Sequence, residues 1–214
     1  MRFRRSHYSH LNLLDYDAYI DEPQNYKGKW KEVFSNNNEL EIEIGCGKGK
    51  FIIEHALRNP NKNYIAIEKV DVILALCGEK IKELGLKNIK ILNYDANKLE
   101  EIFEKGEVSK IYLNFSDPWP KNKHQKRRLT HSKLLNVYYN FLKDESYIEF
   151  KTDNRNLFEF SINEFIINEN YNLESVSLDL HRDEDLSKDI ITTEYEDKFK
   201  NMGNEIYKLV SKKV

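Results

Sequence analysis

The unit that most restricts how this chain can fold begins at residue 39. Glu-Leu-Glu-Ile-Glu-Ile at 39–44 alternates acid and apolar side chains with the two-residue period of a strand. Gly45, Gly47 and Gly49 then turn the chain into Lys-Phe-Ile-Ile-Glu-His-Ala-Leu at 50–57, a helix that must stop before Pro60. A strand that passes through a glycine turn into a helix returns to the same sheet by a right-handed crossover, which makes the next strand parallel. The unit recurs. Strands at 62–68, 89–94 and 110–115 alternate with helices at 70–84, closed by Gly85, and at 97–105, ending near Gly106. A helix at 130–142, a strand at 147–151, a helix at 155–168 and strands at 173–180 and 205–210 complete the series. The pattern predicts an α/β, Rossmann-like fold: a central, mostly parallel seven-stranded sheet with helices on both faces. The long segment before the last strand leaves room for an antiparallel member.

The 214 residues suit one such domain, placed at 27–214 and entered through a short helix at 27–35. Residues 1–26 read as an arm, mixing Arg2, Arg4 and Arg5 with Tyr8, Tyr16, Tyr19 and Tyr26 without a sustained period. Its arginines could reach phosphates or simply form a solvated basic terminus. A net charge of −2 argues against a general polyanion binder, so any nucleic-acid contact must be a local basic patch. Cys46 and Cys77 lie far apart with no CxxC or CxxH spacing, which points away from a metal site or a disulfide framework. No run of eighteen apolar residues and no apolar leader occurs, so a soluble, cytoplasmic protein is expected.

The crossover pattern carries four acids to one sheet edge. Glu43 lies in the first strand, Glu68 ends the second, Asp95 follows the third, and Asp117 follows the fourth. The carboxyl ends of parallel strands line the crevice where open α/β sheets bind ligands. The glycine spacing departs from the dinucleotide fingerprint, because Lys50 stands where a third glycine is required. An acidic rim repels phosphates but suits a ligand with a ribose diol, an adenine amine and a positive charge. S-adenosylmethionine has all three, with Glu68 accepting from the ribose, Asp95 from the adenine amine, and Glu43 near the ammonium. Gly45 and Gly47 let the backbone approach it. The alternative is that each acid caps a helix or satisfies a loop.

Residues 111–128 add a second chemistry. An apolar strand ends at Ser116 and Asp117, Pro118 and Pro120 clamp Trp119, and Lys121, Lys123, Lys126, Arg127 and Arg128 follow within eight residues. A carboxylate, a held indole and a basic loop could place a nucleic-acid base beside a reactive group. Trp119 could equally cap the core. His124, within that loop, suits a phosphate or surface contact rather than acid–base catalysis, and His55, His131 and His181 read as structural.

Six stretches together resemble the bacterial tRNA (guanine-N7)-methyltransferase family, class I enzymes that use S-adenosylmethionine to methylate guanine 46 in the tRNA variable loop. They are residues 43–51, 64–68, 112–121, 126–130, 150–154 and 193–199, of which Tyr-Leu-Asn-Phe-Ser-Asp-Pro-Trp-Pro-Lys at 112–121 is the most specific. The resemblance implies methyl-donor contacts at Glu43, Glu68, Asp95 and Asp117, with Asp117 also the active-site residue. It implies substrate contacts at Lys121, Asp153, Thr193, Glu194, Tyr195 and Glu196. It makes Lys123, His124, Gln125, Lys126, Arg127 and Arg128 the RNA-binding loop, without a metal or an obligatory protein partner, in a monomer or homodimer. Lys123 stands where arginine is expected, which keeps charge but loses the guanidinium fork. Segment 179–197 carries eight acids and reads as a solvated loop apart from 193–196. Two rival classes are an exocyclic-amine methyltransferase, from the Ser-Asp-Pro-Trp run at 116–119, and a non-catalytic RNA-binding module.

Overall fold

The computed structural model of the chain describes residues 11–214. Arg2, Arg4, Arg5 and Tyr8, considered above for the arm, lie outside the described residues. Seven strands form one sheet in the order β3-β2-β1-β4-β5-β7-β6. They are β1 (Leu40–Ile44), β2 (Asn63–Glu68), β3 (Ile89–Asn93), β4 (Val108–Asn114), β5 (Leu142–Thr152), β6 (Tyr171–Ser177) and β7 (Tyr207–Lys213). The first five run parallel to one another, and β7 runs antiparallel to both β5 and β6. One late strand is therefore the antiparallel member the sequence left room for.

Helices α2 (Lys50–Arg58) and α3 (Asp71–Leu84) cover one face of the sheet; α4 (Ser132–Phe141) and α5 (Arg155–Ile166) cover the other. Strand β1 shows how the two-residue period serves both. Ile42 and Ile44 join the core under α4 and α5, with Ile111, Leu113, Ile148 and Phe150. Glu41 and Glu43 alternate with them and face the side of Tyr112, yet are only 2% and 1% exposed. The acid–apolar alternation that marks a half-solvated strand thus belongs to a strand buried on both faces, where an apolar run is the norm. Glu41 is satisfied by Lys62 and by the Tyr112 hydroxyl at 2.7 Å.

Short α1 (Trp30–Phe34) opens the domain as expected, with the Trp30 indole donating to Ile102 O at 2.8 Å. Several boundaries differ. The helix expected at 97–105 is a 3-10 turn over Ala96–Glu101 capped by Asp95. Strand β5 begins at Leu142, directly from α4, rather than at 147. The described part of the arm is anchored, because Ile91 N donates to Ala18 O at 2.8 Å and Ile20 N to Ile91 O at 3.2 Å, which covers the outer edge of β3. Tyr16 packs where Gly78 of α3 lacks a Cβ. The segment read as a loop before the last strand contains α6 (Glu194–Asn201), opened by a Thr193–Glu196 capping box. Among the described residues no helix is long and apolar enough to cross a membrane.

The turn from β1 into α2 depends on Gly49, with φ +80°, where an added Cβ would lie 2.3 Å from Cys77 Sγ. Gly85 also has positive φ, but an added Cβ there meets nothing within 4 Å. Gly85→Ala should therefore lower unfolding free energy by about 1 kcal/mol through backbone strain alone, and Gly49→Ala by at least about 2 kcal/mol. Urea denaturation midpoints check the difference; equal losses would remove the steric contribution at Gly49.

Candidate active site

The five parallel strands bring five carboxylates to one edge. Glu68 and Asn93 are paired across β2 and β3, Glu43 pairs with Ala66 and Tyr112, and Asn114 pairs with Lys151. Asp95, Glu68, Glu43, Asp117 and Asp153 therefore stand at the carboxyl ends of β3, β2, β1, β4 and β5 in that spatial order. The expected convergence of Glu43, Glu68, Asp95 and Asp117 is what the topology produces.

Each acid has a different environment. Glu43 is buried, its Oε1 accepts from Asn114 Nδ2 at 2.8 Å, and its Oε2 has no partner among the described residues. Burial pushes its carboxyl up to about 7; Asn114 and Lys151 oppose that shift, and Glu68 reinforces it. Glu68 accepts from the backbone N–H groups of Gly47, Lys69 and Val70, at 3.2, 2.8 and 3.0 Å. Asp95 is held down to about 2, first by Lys69 at 2.7 Å and then by the Asn97 amide. It does cap the following turn, as the alternative reading of these acids allowed. Gly45 and Gly47 have φ of +82° and +57°, and open space lies where their Cβ atoms would be. Carboxylate oxygens, one of them unpartnered, and an uncluttered glycine turn form an acceptor set for a cationic, hydroxyl-bearing ligand.

The turn after β4 is strained and then stapled. Phe115 and Trp119 have φ of +50° and +42°, a region such bulky residues rarely adopt. Phe115 is held by its N–H to Lys151 O at 2.8 Å. The carbonyls of Pro118 and Trp119 both accept from the Arg128 guanidinium, at 2.9 and 3.2 Å, and that guanidinium also stacks over Phe160. Arg128 is 6% exposed, so its charge holds the proline turn, a correction to its expected place on the RNA-binding loop. Asp117 is exposed at the head of this turn, and no described residue hydrogen-bonds its carboxylate. Lys121, Lys123, Lys126 and Arg127 are exposed around a 3-10 turn over Asn122–Arg127, with His124 and Gln125 half-buried. Arg127 lies 4.9 Å over the Trp119 ring, and His124 meets the ring edge-on. Trp119 is thus part of the loop's own packing, covered on one side by a cation.

The resemblance placed Thr193, Glu194, Tyr195 and Glu196 together as substrate contacts; helix geometry separates them. Glu194 reaches back to Lys48 at 3.1 Å and Lys80 at 3.4 Å, and Tyr195 is 60% exposed. Thr193 caps the helix. Glu196 is fully buried beside Lys151 at 2.6 Å, with His181 Nε2 at 3.1 Å, so its carboxylate has no surface to offer a nucleotide. His181, read as structural, lies beside Glu196 without a hydrogen bond to it; His131 N-caps α4 with Nδ1. Asn114 and Lys151 were missed as site residues. Asn114 is a polar residue set inside the apolar run 111–115, an interruption that would have found it; Lys151, between Phe150 and Thr152 in a mixed strand, carries no such signal.

A cavity of about 420 Å³ lies at the opposite, amino-terminal edge of the sheet, between His55, Tyr64, Tyr112 and Ser146. Its principal charges pair with one another or with neighbours, as in Lys62 with Glu41 and Lys110 with Glu149. His55, packed against Phe51 and Tyr112, is pushed down to about 4 by burial.

A family profile described as a putative methyltransferase matches residues 37–209. A tRNA (guanine-N(7)-)-methyltransferase of Lachnoclostridium phytofermentans is 46% identical over 211 residues, covering 99% of this chain and 98% of the relative. One of the same name from Brevibacillus brevis is 44% identical over 210 residues, covering 98% and 97%. Among solved structures, the 16S rRNA methyltransferase KamB superposes with a TM-score of 0.66 at 13% identity, over 87% of this chain and 93% of that one. An antibiotic-related methyltransferase gives 0.63 at 19%, over 87% and 94%, so both attest the class I methyltransferase fold. By that match over nearly its whole length, the chain is an enzyme and belongs to the bacterial tRNA (guanine-N7)-methyltransferase family.

Proposed function

We propose that the protein transfers the methyl group of S-adenosylmethionine to N7 of guanine 46 in the variable loop of tRNA. The observation that carries the reading is the acidic rim, above all the unpartnered Oε2 of buried Glu43. A buried carboxylate with one oxygen unsatisfied is costly unless a donor arrives, and the donor's ammonium supplies the missing partner. Glu68 would hold the ribose hydroxyls, and Asp95 the adenine amine on displacing the exposed Lys69. Gly45 and Gly47 would leave room for the backbone to approach. The donor supplies an electrophilic methyl group on a sulfonium.

Guanine N7 has a lone pair and no proton, so the protein needs no general base. Its tasks are alignment, exclusion of water, and negative charge where the purine becomes cationic. Asp117 and Asp153, at adjacent strand ends, would accept from guanine N1 and N2 and stabilise the cationic product. Lys123, Lys126 and Arg127, with His124 and Gln125, would bring the tRNA backbone to them, and Lys121 would meet the substrate beside Asp117. The homologues' shared name supports the target, and the absence of a base requirement fits an exposed carboxylate rather than a catalytic dyad.

Three outcomes are expected. Labelled methyl groups should reach unmodified tRNA carrying guanine at position 46 and not a transcript with adenine there; equal incorporation would refute the target, and N6-methyladenosine among the digested nucleosides would favour an exocyclic-amine enzyme. Asp117→Ala should slow turnover at least about tenfold, or 1.4 kcal/mol in barrier, with full activity removing Asp117 from the mechanism. Replacing Lys123, Lys126 and Arg127 with alanine should flatten the salt dependence of tRNA binding while leaving donor binding intact.

The fourth outcome concerns pH. Glu43 titrates near 7 folded against an ordinary 4.5, so the folded state binds the proton more tightly and ionising Glu43 weakens the unliganded fold as pH rises between those values. A cationic donor needs the ionised form. Donor affinity measured by calorimetry should fall by up to about tenfold per unit as pH drops below 7, and Glu43→Gln should bind weakly with a flat profile. A slope that survives in Glu43→Gln would place the titrating group elsewhere.

A further inference from the structure

Helix α6 lies across both halves of the proposed site. On one side its first turn is tied to the glycine turn and the helices beside it: Glu194 to Lys48 in the turn and Lys80 in α3, Asp197 to Lys50 at the start of α2, and Thr192 just before the helix to Lys50 at 3.0 Å. On the other side Phe199 stacks on Phe115 at 6.4 Å and 18°, and Tyr195 stacks on Phe199 at 6.3 Å and 24°. Phe115 is the strained residue two positions before Asp117. A buried ion pair is added to these contacts. Lys151 is 1% exposed, and its ammonium donates to Glu196 Oε2 at 2.6 Å and to Ile191 O at 3.0 Å, 4.8 Å from the Phe51 ring centre. Glu196 Oε2 also receives the Thr193 N–H at 3.4 Å. The backbone of the same lysine accepts the Phe115 N–H, so Lys151 grips the Asp117 turn with its carbonyl and α6 with its side chain.

We infer that Lys151 and Glu196 are a positioning pair that fixes α6 between the glycine turn and the Phe115–Asp117 turn, and so aligns donor and base. The inference rests on the reading of those turns as the donor and base sides. Glu196 then acts through Lys151, and Tyr195 is the α6 side chain that meets the substrate. Stability alone does not explain the pair, because a buried ion pair contributes little beyond a well-packed apolar one. Its use is directional: one ammonium and one carboxylate engage a β5 terminus, a loop carbonyl and a helix cap at once, which admits one placement of α6.

The test compares Lys151→Met, Glu196→Gln and the apolar double variant Lys151→Met/Glu196→Leu in the full chain. Single-turnover methyl transfer to tRNA, donor and tRNA affinity, melting temperature, and hydrogen exchange at 115–117 and 194–201 are measured. At saturating donor the two single variants and the double should each slow transfer by the same factor, about tenfold or more, with tRNA affinity changed less than about threefold. Donor affinity falls only where Lys151 is replaced, since its field helps to keep Glu43 ionised. The double should recover melting temperature but not rate, and both segments should lose exchange protection together. Multiplying rate losses, or a rise in tRNA dissociation constant confined to Glu196→Gln, would make Glu196 a direct contact and overturn the pair. So would a double variant that recovers both stability and rate. If Lys151→Met does not fold, the double variant and Phe199→Leu decide: transfer at the parental rate in either sinks the inference, and about tenfold slower transfer in both upholds it. Coupled loss of exchange protection in a protein whose parent does not methylate tRNA would uphold the clasp while refuting the proposed function.

Discussion

A carboxylate enclosed at the end of β1 sets the terms for the rest of this structure. Glu43 is 1% exposed, and desolvation of its charge is opposed by Asn114 from β4, the field of Lys151 from β5 and the Ile52 backbone of α2. Lys151 is itself buried and needs an anion, which α6 supplies as Glu196. One buried acid thus demands a buried cation, and that cation demands a second acid from a distant part of the chain. The face of the sheet under α2 thus sets Glu41, Glu43 and Lys151 beside an apolar cluster, whereas the core on the opposite face is apolar. A chain folding for stability alone would use aliphatic residues at these positions.

The same face explains why the turn after β4 holds its shape. Two residues in the left-handed region and two prolines would leave a turn with exposed carbonyls and stored strain. The Lys151 carbonyl fixes the turn at its start, and the Arg128 guanidinium bridges two carbonyls at its end. Asp117 is presented to solvent between two anchored points, so its direction is set without a hydrogen bond to its carboxylate. Arginine suits this staple because its planar fork spans two acceptors, which a lysine ammonium cannot do in the same fixed geometry.

Much of this was legible in the residues. The glycine turn, the crossover pattern and the four strand-end acids follow from short-range spacing, and the strand order of a parallel sheet then brings those acids together. The Thr193–Glu196 box was also legible and was read instead as ligand chemistry, which concealed α6. Arg128 could not be told from Arg127 by sequence, since both sit in one basic run; only the path of the proline turn makes one point inward and the other outward over Trp119. Glu196 likewise was one acid among eight until the helix period turned it toward Lys151 while Tyr195 faced out.

The sequence by itself determined the α/β class, the crossover sheet and the acids at its carboxyl edge, because those depend on local period and on the handedness that L-residues impose. The tertiary structure alone decided which charges are enclosed. Enclosure depends on what a distant segment brings to the same place, and no local spacing records that Lys151, Glu196 and Glu43 share one desolvated interior.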